Sequence, residues 1–436
     1  LGAAGCLSLK LEPFYPRESA EWARECAKLV KMYFDQGYDD QGGCYEGTAY
    51  ADYGLSNAVL FADALCRNGL IDLFESAHLK RVAHFLAMTM LPGETVFDAR
   101  NDADYAELKH PWLLKLASTY KDSLAAWVWA QSGSGDSPLQ IVWASNVEAR
   151  SPQDLGEPFS EHFHGRGLCV FRTGWSSDDL MFSIEAGPYY SVTHNQGDKG
   201  HFALYGLGRR WAIDSGYANN REPLGKAQTL AHNCILVDGE GQALSGARWG
   251  TNGRIVNYED LKGYGYVLAD SAEAYRINDR GVRGPGLERA LRHAIFVRPD
   301  GRIPAYAVIL DDFRKDNEEH AWTWLLHTAE DNEFEEEKGV VTIRAVPPKD
   351  PAQKDVNHSI TKVWLVSDKP SEFRIDKYEG HPRLNLTTRA VEPGFAAVLV
   401  PLQAKTRPPQ VEIRPNPGET VVEIRWPSRV DAIRWM

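Results

Sequence analysis

The feature that most constrains this chain is a change of hydrophobic period near residue 150. Before it, apolar residues recur at helical spacing. Trp22, Cys26, Leu29, Val30 and Tyr33 form one stripe of an amphipathic helix, with Ser19 reading as its N-cap and Gly37 as its stop. Further helices are expected around 52–68, 76–90 and 111–131, set apart by breakers such as Leu91-Pro92-Gly93 and Arg100-Asn101-Asp102. After it the chain turns to short β-rich runs bounded by turns. Examples are Leu180-Met181-Phe182-Ser183-Ile184, Val340-Val341-Thr342-Ile343 and Lys362-Val363-Trp364-Leu365-Val366, with more at 396–402, 411–414 and 421–426. Many strands without intervening helices imply an antiparallel sandwich rather than a parallel α/β sheet. No repeat of fixed period supports a propeller or solenoid there.

Residues 132–158 are polar and rich in breakers, so the boundary is placed in them. The expected fold class is multidomain α+β: a helical domain over residues 1–150 and an antiparallel β-sandwich over 160–436. The opening Leu1-Gly2-Ala3-Ala4-Gly5 has no initiator Met and reads as the middle of a small-residue helix. The helical domain is therefore expected to be incomplete at its N-terminus, a piece of something longer.

Composition then narrows the function. The formal net charge is −12 with no long basic block, which argues against a nucleic-acid binder. No apolar run is long enough to cross a bilayer. Thirteen Trp and eighteen Tyr suit a sugar-binding cleft, although most such rings fill β-sheet cores. The six cysteines are scattered without a CxxC pair, and buried free thiols are the expectation.

Three segments carry chemistry. The first is Cys44-Tyr45-Glu46-Gly47-Thr48-Ala49-Tyr50-Ala51-Asp52-Tyr53, a turn leading into a helix, whose tyrosines are either packing aromatics or cleft residues. The second is Thr193-His194-Asn195-Gln196-Gly197-Asp198-Lys199-Gly200-His201-Phe202, followed by Asp214-Ser215-Gly216-Tyr217. The third is His232-Asn233-Cys234-Ile235-Leu236-Val237-Asp238-Gly239. Such polar density between strands is costly to bury without partners, so the second segment reads either as a solvated hairpin tip or as a catalytic or metal site.

Taken together, these segments resemble the heparinase II/III-like polysaccharide lyases. The Glu46-Gly47 pair with Tyr50 resembles that family's catalytic-Tyr segment. The His194…Asp198…Phe202 loop, then Asp214-Ser215-Gly216, then His232-Asn233 with Val237-Asp238-Gly239, resembles its β-domain signature. The resemblance implies an α/α toroid-type helical domain ahead of the sandwich, and β-elimination on a uronic-acid-containing acidic polysaccharide. It implies that Tyr50 donates a proton to the leaving oxygen, that His194 faces it across a cleft as base or orienting group, and that Tyr217 is a second active-site tyrosine. It also implies a Zn²⁺ whose ligand positions read Gln196, Asp214 and His232. An amide is a poor zinc ligand, so either the site is weaker, or another His such as His194 or His201 completes the set, or no metal binds and the three form a hydrogen-bonded cluster. The family's upstream Asn or His, which neutralises the substrate carboxylate, has no counterpart among the 45 residues before Glu46.

The other readings are a toroid-type glycoside hydrolase, for which Asp39, Asp40, Glu46 and Asp52 supply carboxylates, and a non-catalytic polysaccharide-binding relative. A periplasmic or secreted location is expected from the resemblance alone.

Overall fold

In a computed structural model of the protein, the described residues are 1–189, 194–217, 225–244, 250–278, 280–346, 357–416 and 419–435. Thr193, at the head of the polar segment, lies outside them. The chain forms two compact units, one comprising residues 1–90, 95–158 and 163–166, the other 91–94, 159–162 and 167–436.

The first unit is helical: α1 (Gly2–Leu11), α2 (Pro16–Gln36), α3 (Thr48–Arg67), a 3-10 turn (Leu79–Arg81), α4 (Val82–Thr89), α5 (Trp112–Tyr120), α6 (Ser123–Ser132), and the short α7 (Leu139–Val142) and α8 (Pro152–Leu155). The small residues of α1 allow close helix approach, since a Cβ at Gly5 would come within 2.6 Å of the Phe61 ring on α3. Helix α2 begins earlier than Ser19, because Pro16 supplies a fixed φ at its first turn. Ser19 therefore lies inside the helix and is buried. Its buried face is Ala23, Cys26, Ala27, Val30 and Phe34, while Trp22 is 48% exposed and leaves the stripe. Gly37 does cap the helix, donating its N–H to Tyr33 O. The stretch 111–131 is two helices rather than one. Lys121 takes a left-handed φ of 56° and Asp122 then caps α6, its Oδ1 accepting from Leu124 N and Ala125 N.

The second unit is built from strands, with three short 3-10 turns among the described residues. β1 (Ser160–Phe163), β2 (Leu168–Arg172), β3 (Leu180–Glu185), β4 (His201–Gly206) and β5 (Arg209–Ala212) form a five-stranded meander. The chain continues through β6 (Ile235–Val237), β7 (Arg254–Asp260), β8 (Tyr264–Asp270), β9 (Arg289–Val297), β10 (Tyr306–Arg314) and β11 (His320–His327). It goes on with β12 (Asn332–Glu337), β13 (Val340–Ala345), β14 (Ile360–Ser367), β15 (Ser371–Tyr378), β16 (His381–Ala390) and β17 (Gly394–Leu402). These make an eight-stranded sheet in the order β12-β13-β14-β17-β10-β9-β8-β7 and a four-stranded sheet in the order β15-β16-β11-β6. β18 (Gln410–Asn416), β19 (Glu419–Arg425) and β20 (Val430–Trp435) close the chain as a three-stranded sheet. The ladders run antiparallel, as the alternating runs imply.

The core explains why the central strands read as continuous apolar runs. On β10, Ala307 and Ile309 join one cluster with Phe171, Phe182, Phe296, Trp322 and Trp324, while Val308 and Leu310 join another with Val398, Val422 and Trp426. β10 is thus apolar on both faces from Tyr306 to Leu310, and polar residues enter only at its end, at Asp311, Asp312 and Arg314. The expected fold class, a helical part followed by a large antiparallel sandwich, is the one observed.

Candidate functional site

In the helical unit, the turn before α3 is pinned by one carboxylate. Asp39 Oδ1 accepts from Gln41 N at 3.0 Å and Gly43 N at 2.7 Å, and its Oδ2 accepts from Arg166 N at 3.0 Å. Gly47 has φ 85°, and a Cβ there would come 2.5 Å from Arg100 O, so only glycine lets the chain turn into α3. Tyr50 then falls in the first turn of α3, half-buried, whereas Tyr53 is 64% exposed and does not pack. One residue before Tyr53, Asp52 is buried and its oxygens accept three bonds: from Lys109 N at 3.0 Å, His110 Nδ1 at 2.8 Å and Trp112 Nε1 at 2.8 Å. The His110 proton is thereby fixed on Nδ1, leaving Nε2 as the acceptor of a half-exposed imidazole. His110 borders a cavity of about 240 Å³ with Thr48, Tyr53, Glu107 and Lys109. Sequence reasoning missed this pairing.

In the sandwich unit, His194 is half-buried with a left-handed φ of 64°. The loop behind it is no solvated tip: Asn195, Gln196, Asp198 and Lys199 are all buried. Lys199 Nζ lies 3.0 Å from Asp198 Oδ1 and 3.5 Å from Glu185 Oε1, and Gly197 N donates to Ala227 O at 2.8 Å. The loop delivers His201 to the start of β4. Asp214 follows β5, and Gly216 N binds its Oδ1 at 2.9 Å, which turns Oδ2 toward two histidines. Oδ2 lies 3.2 Å from His232 Nδ1 and 3.7 Å from His201 Nε2, with all three side chains fully buried.

Asn233 is the hub that holds this cluster. Its backbone N–H donates to His201 Nδ1 at 2.9 Å, and its Nδ2 donates to Phe202 O at 2.8 Å and Ile213 O at 3.2 Å. Its Oδ1 accepts from His327 N at 2.7 Å, and its carbonyl accepts from Arg292 at 2.5 Å. Arg292 is itself buried. Desolvation would discharge it, but Asp311, bound at 2.7 and 2.9 Å, outweighs that and holds the guanidinium charged. The His232-Asn233 dipeptide of the sequence is therefore one cluster residue and one scaffold residue.

Of the positions expected to hold a metal, Asp214 and His232 come together, and the third member of the group is His201; Gln196 is fully buried in the preceding loop. The ligand atoms of His201, Asp214 and His232 all lie within 4.8 Å of one another. A tetrahedral zinc with bonds of about 2.0–2.1 Å would separate its ligands by about 3.3 Å, so the spacing suits an ion. The group supplies three strong donors, two imidazoles and one carboxylate, which is the ligand count of zinc sites that keep one position open. The Asn233 amide, bound to His201 Nδ1, orients that ring with Nε2 toward Asp214.

The six cysteines are free, and burial pushes the Cys44 thiol up to about 12. Tyr217 is half-buried, three residues beyond Asp214.

Residues 159–414 match the family model described as heparinase II/III-like, C-terminal. The fold is similar to a crystal structure of heparinase III, with a TM-score of 0.72 at 14% identity over 99% of this chain and 66% of that one. A second heparinase III gives 0.65 at 15% identity over 98% and 64%. The heparan sulfate lyase HepC from Pedobacter heparinus gives 0.64 at 14% identity over 97% and 63%. The chain thus spans just under two thirds of the length of the solved structures it matches. No curated protein sequence matches it.

Proposed function

This chain belongs to the heparinase II/III-like family, and from that premise we propose that it is a polysaccharide lyase acting by β-elimination on a uronic-acid-containing acidic polysaccharide, in the periplasm or outside the cell. The match of the family model over residues 159–414 carries the reading. In the proposed reaction, a base takes the proton on C5 of the uronate. The electron pair of that bond forms the C4–C5 double bond, and the C4–O bond breaks. His194 is assigned as the base or its orienting group, Tyr50 as the acid that protonates the departing oxygen, and Tyr217 as a second active-site hydroxyl. The buried cluster of His201, Asp214 and His232 supports the loop that bears His194, and no step is routed through a metal.

One geometric observation narrows the glycoside hydrolase reading. Hydrolysis needs two carboxylates, and Asp39 and Asp52 each spend both oxygens on fixed donors, which confines that reading to Asp40 and Glu46. The third reading, a binder without turnover, is separated by experiment.

The test is to incubate the protein with a panel of uronate polymers and follow the ultraviolet absorbance of an unsaturated product. Turnover is expected, and Tyr50→Phe should lower it by about 10²–10⁴-fold while folding survives. Saturated reducing ends would indicate a hydrolase, binding without product would indicate a binder, and near-wild-type activity in the Phe variant would remove Tyr50 from the mechanism. Metal analysis gives a separate outcome: about one equivalent of zinc held by His201, Asp214 and His232 is expected, and chelation should lower the melting temperature. Metal-free protein whose melting temperature chelation leaves unchanged would reduce the three to a hydrogen-bonded cluster.

A further inference from the structure

At the other end of β4 from His201, the sandwich unit carries a half-open cavity of about 910 Å³ that the proposed reaction does not use. Leu207, just past the end of β4, lines it, which puts it about 20 Å along the strand from the cluster. Arg302, Lys405 and Arg407 border the cavity, all exposed, and among the described residues none of the three has an ion-pair partner. On a chain of formal net charge −12, three unmatched cations at one cavity are a local reversal of sign.

The rest of the lining selects among anions. Pro299, Pro304, Pro401 and Pro427 give rigid apolar walls that suit the C–H faces of a pyranose. Exposed Asp178 and Gln403 offer acceptors for hydroxyl groups, which a simple inorganic anion lacks. Asp179 is already occupied, binding Thr173 Oγ1 at 2.8 Å and Ser176 N at 2.8 Å. Trp426, largely buried, is the aromatic member of the lining.

We propose that this cavity is an accessory site for an acidic oligosaccharide, with Arg302, Lys405 and Arg407 holding its carboxylate or sulfate groups. A polymer held here raises its own effective concentration at any other site on the same chain. The site stands whether or not the protein cleaves what it holds.

The experiment uses calorimetric titration of the full chain carrying Tyr50→Phe, to suppress turnover. The probes are a heparan-sulfate hexasaccharide, an oligogalacturonate hexasaccharide, neutral maltohexaose and inorganic phosphate. An acidic hexasaccharide is expected to bind and maltohexaose not to, with affinity falling as salt rises. Replacing Arg302, Lys405 and Arg407 together with Ser should weaken binding about tenfold and flatten the salt dependence, at unchanged melting temperature. Which acidic probe binds tells carboxylate from sulfate. Affinity unchanged in the triple variant, or phosphate binding as well as the oligosaccharides, would overturn the proposal. In the Tyr50 wild-type background, cleavage of a short oligosaccharide reports on the lyase reading alone, so the two can fail separately.

Discussion

Each unit buries one carboxylate beside histidine, and the two solve that problem in opposite ways. In the helical unit, Asp52 gathers a backbone amide, an indole N–H and one imidazole, and that imidazole reaches half into solvent. In the sandwich unit, Asp214 is flanked by two imidazoles with no exposure at all, themselves fixed through Asn233, Arg292 and Asp311. A carboxylate satisfied by neutral donors tolerates a mobile partner at its edge. One held within a chain of charged and neutral groups depends on every link of that chain. The helical site should therefore be locally adjustable and the sandwich site all-or-none.

The most severe way to break this contrast is Arg292→Met. It would leave Asp311 as a buried charge and remove donors from Gly200 O and Asn233 O. Losing one partner of such a pair costs about 3–5 kcal/mol. Chemical denaturation should show the loss in the sandwich unit, and a drop under about 1 kcal/mol would mean that the hub does not depend on its charge pair.

Asp52→Asn should cost less, about 1–3 kcal/mol. An amide preserves the shape but turns an N–H toward at least one of the three donors. The damage should stay local, with near-ultraviolet dichroism reporting the Trp112 environment while the sandwich transition is unmoved. A loss that spread to the sandwich would erase the distinction between the two sites.

Acid sharpens the comparison at smaller scale. Burial pushes the His327 imidazole well below the ordinary histidine range, helped by the nearby Arg383 charge, and burial also lowers His381 and His293. All three belong to the sandwich unit. Because each folded pKa lies below the unfolded value of about 6.5, the unfolded chain takes up the protons first. The stability these groups contribute is complete above about pH 6.5 and is lost as the pH falls below it, by at most about 1.4 kcal/mol per histidine per pH unit. A melting curve taken at pH 7 and again at pH 5.5 should show the sandwich transition moving down. A flat response would mean that the imidazoles charge without cost.

Much of the fold was legible because period is local. The runs around Leu180 and Val340, and the apolar β10, each announce a strand without reference to anything distant. The polar segments were visible for the same reason, since His194, Asp198 and His201 sit within eight residues of one another. What stayed hidden is what tertiary structure decides. Asp52 meets His110 across 58 residues of sequence, and neither residue carries a local mark of the other. Position-by-position resemblance pointed to Gln196, whereas the turn at Gly200, with φ 89°, and the pairing of β4 with β3 bring His201 to Asp214. The break at Lys121 was missed because helical apolar spacing continues through it. A left-handed residue followed by an Asp cap outweighs periodicity there.

The strand order of the eight-stranded sheet has a consequence for solubility. Its two outer members are β12 and β7, and an unprotected outer strand invites another chain to zip onto it. Along β12, Glu335, Glu336 and Glu337 are consecutive and exposed, so a second copy arriving there would set carboxylates against carboxylates. Along β7 the register slips between Ile255 and Asn257, a bulge that spoils a straight docking rail. One border is closed by charge and the other by shape, and a sheet this wide is kept from growing wider.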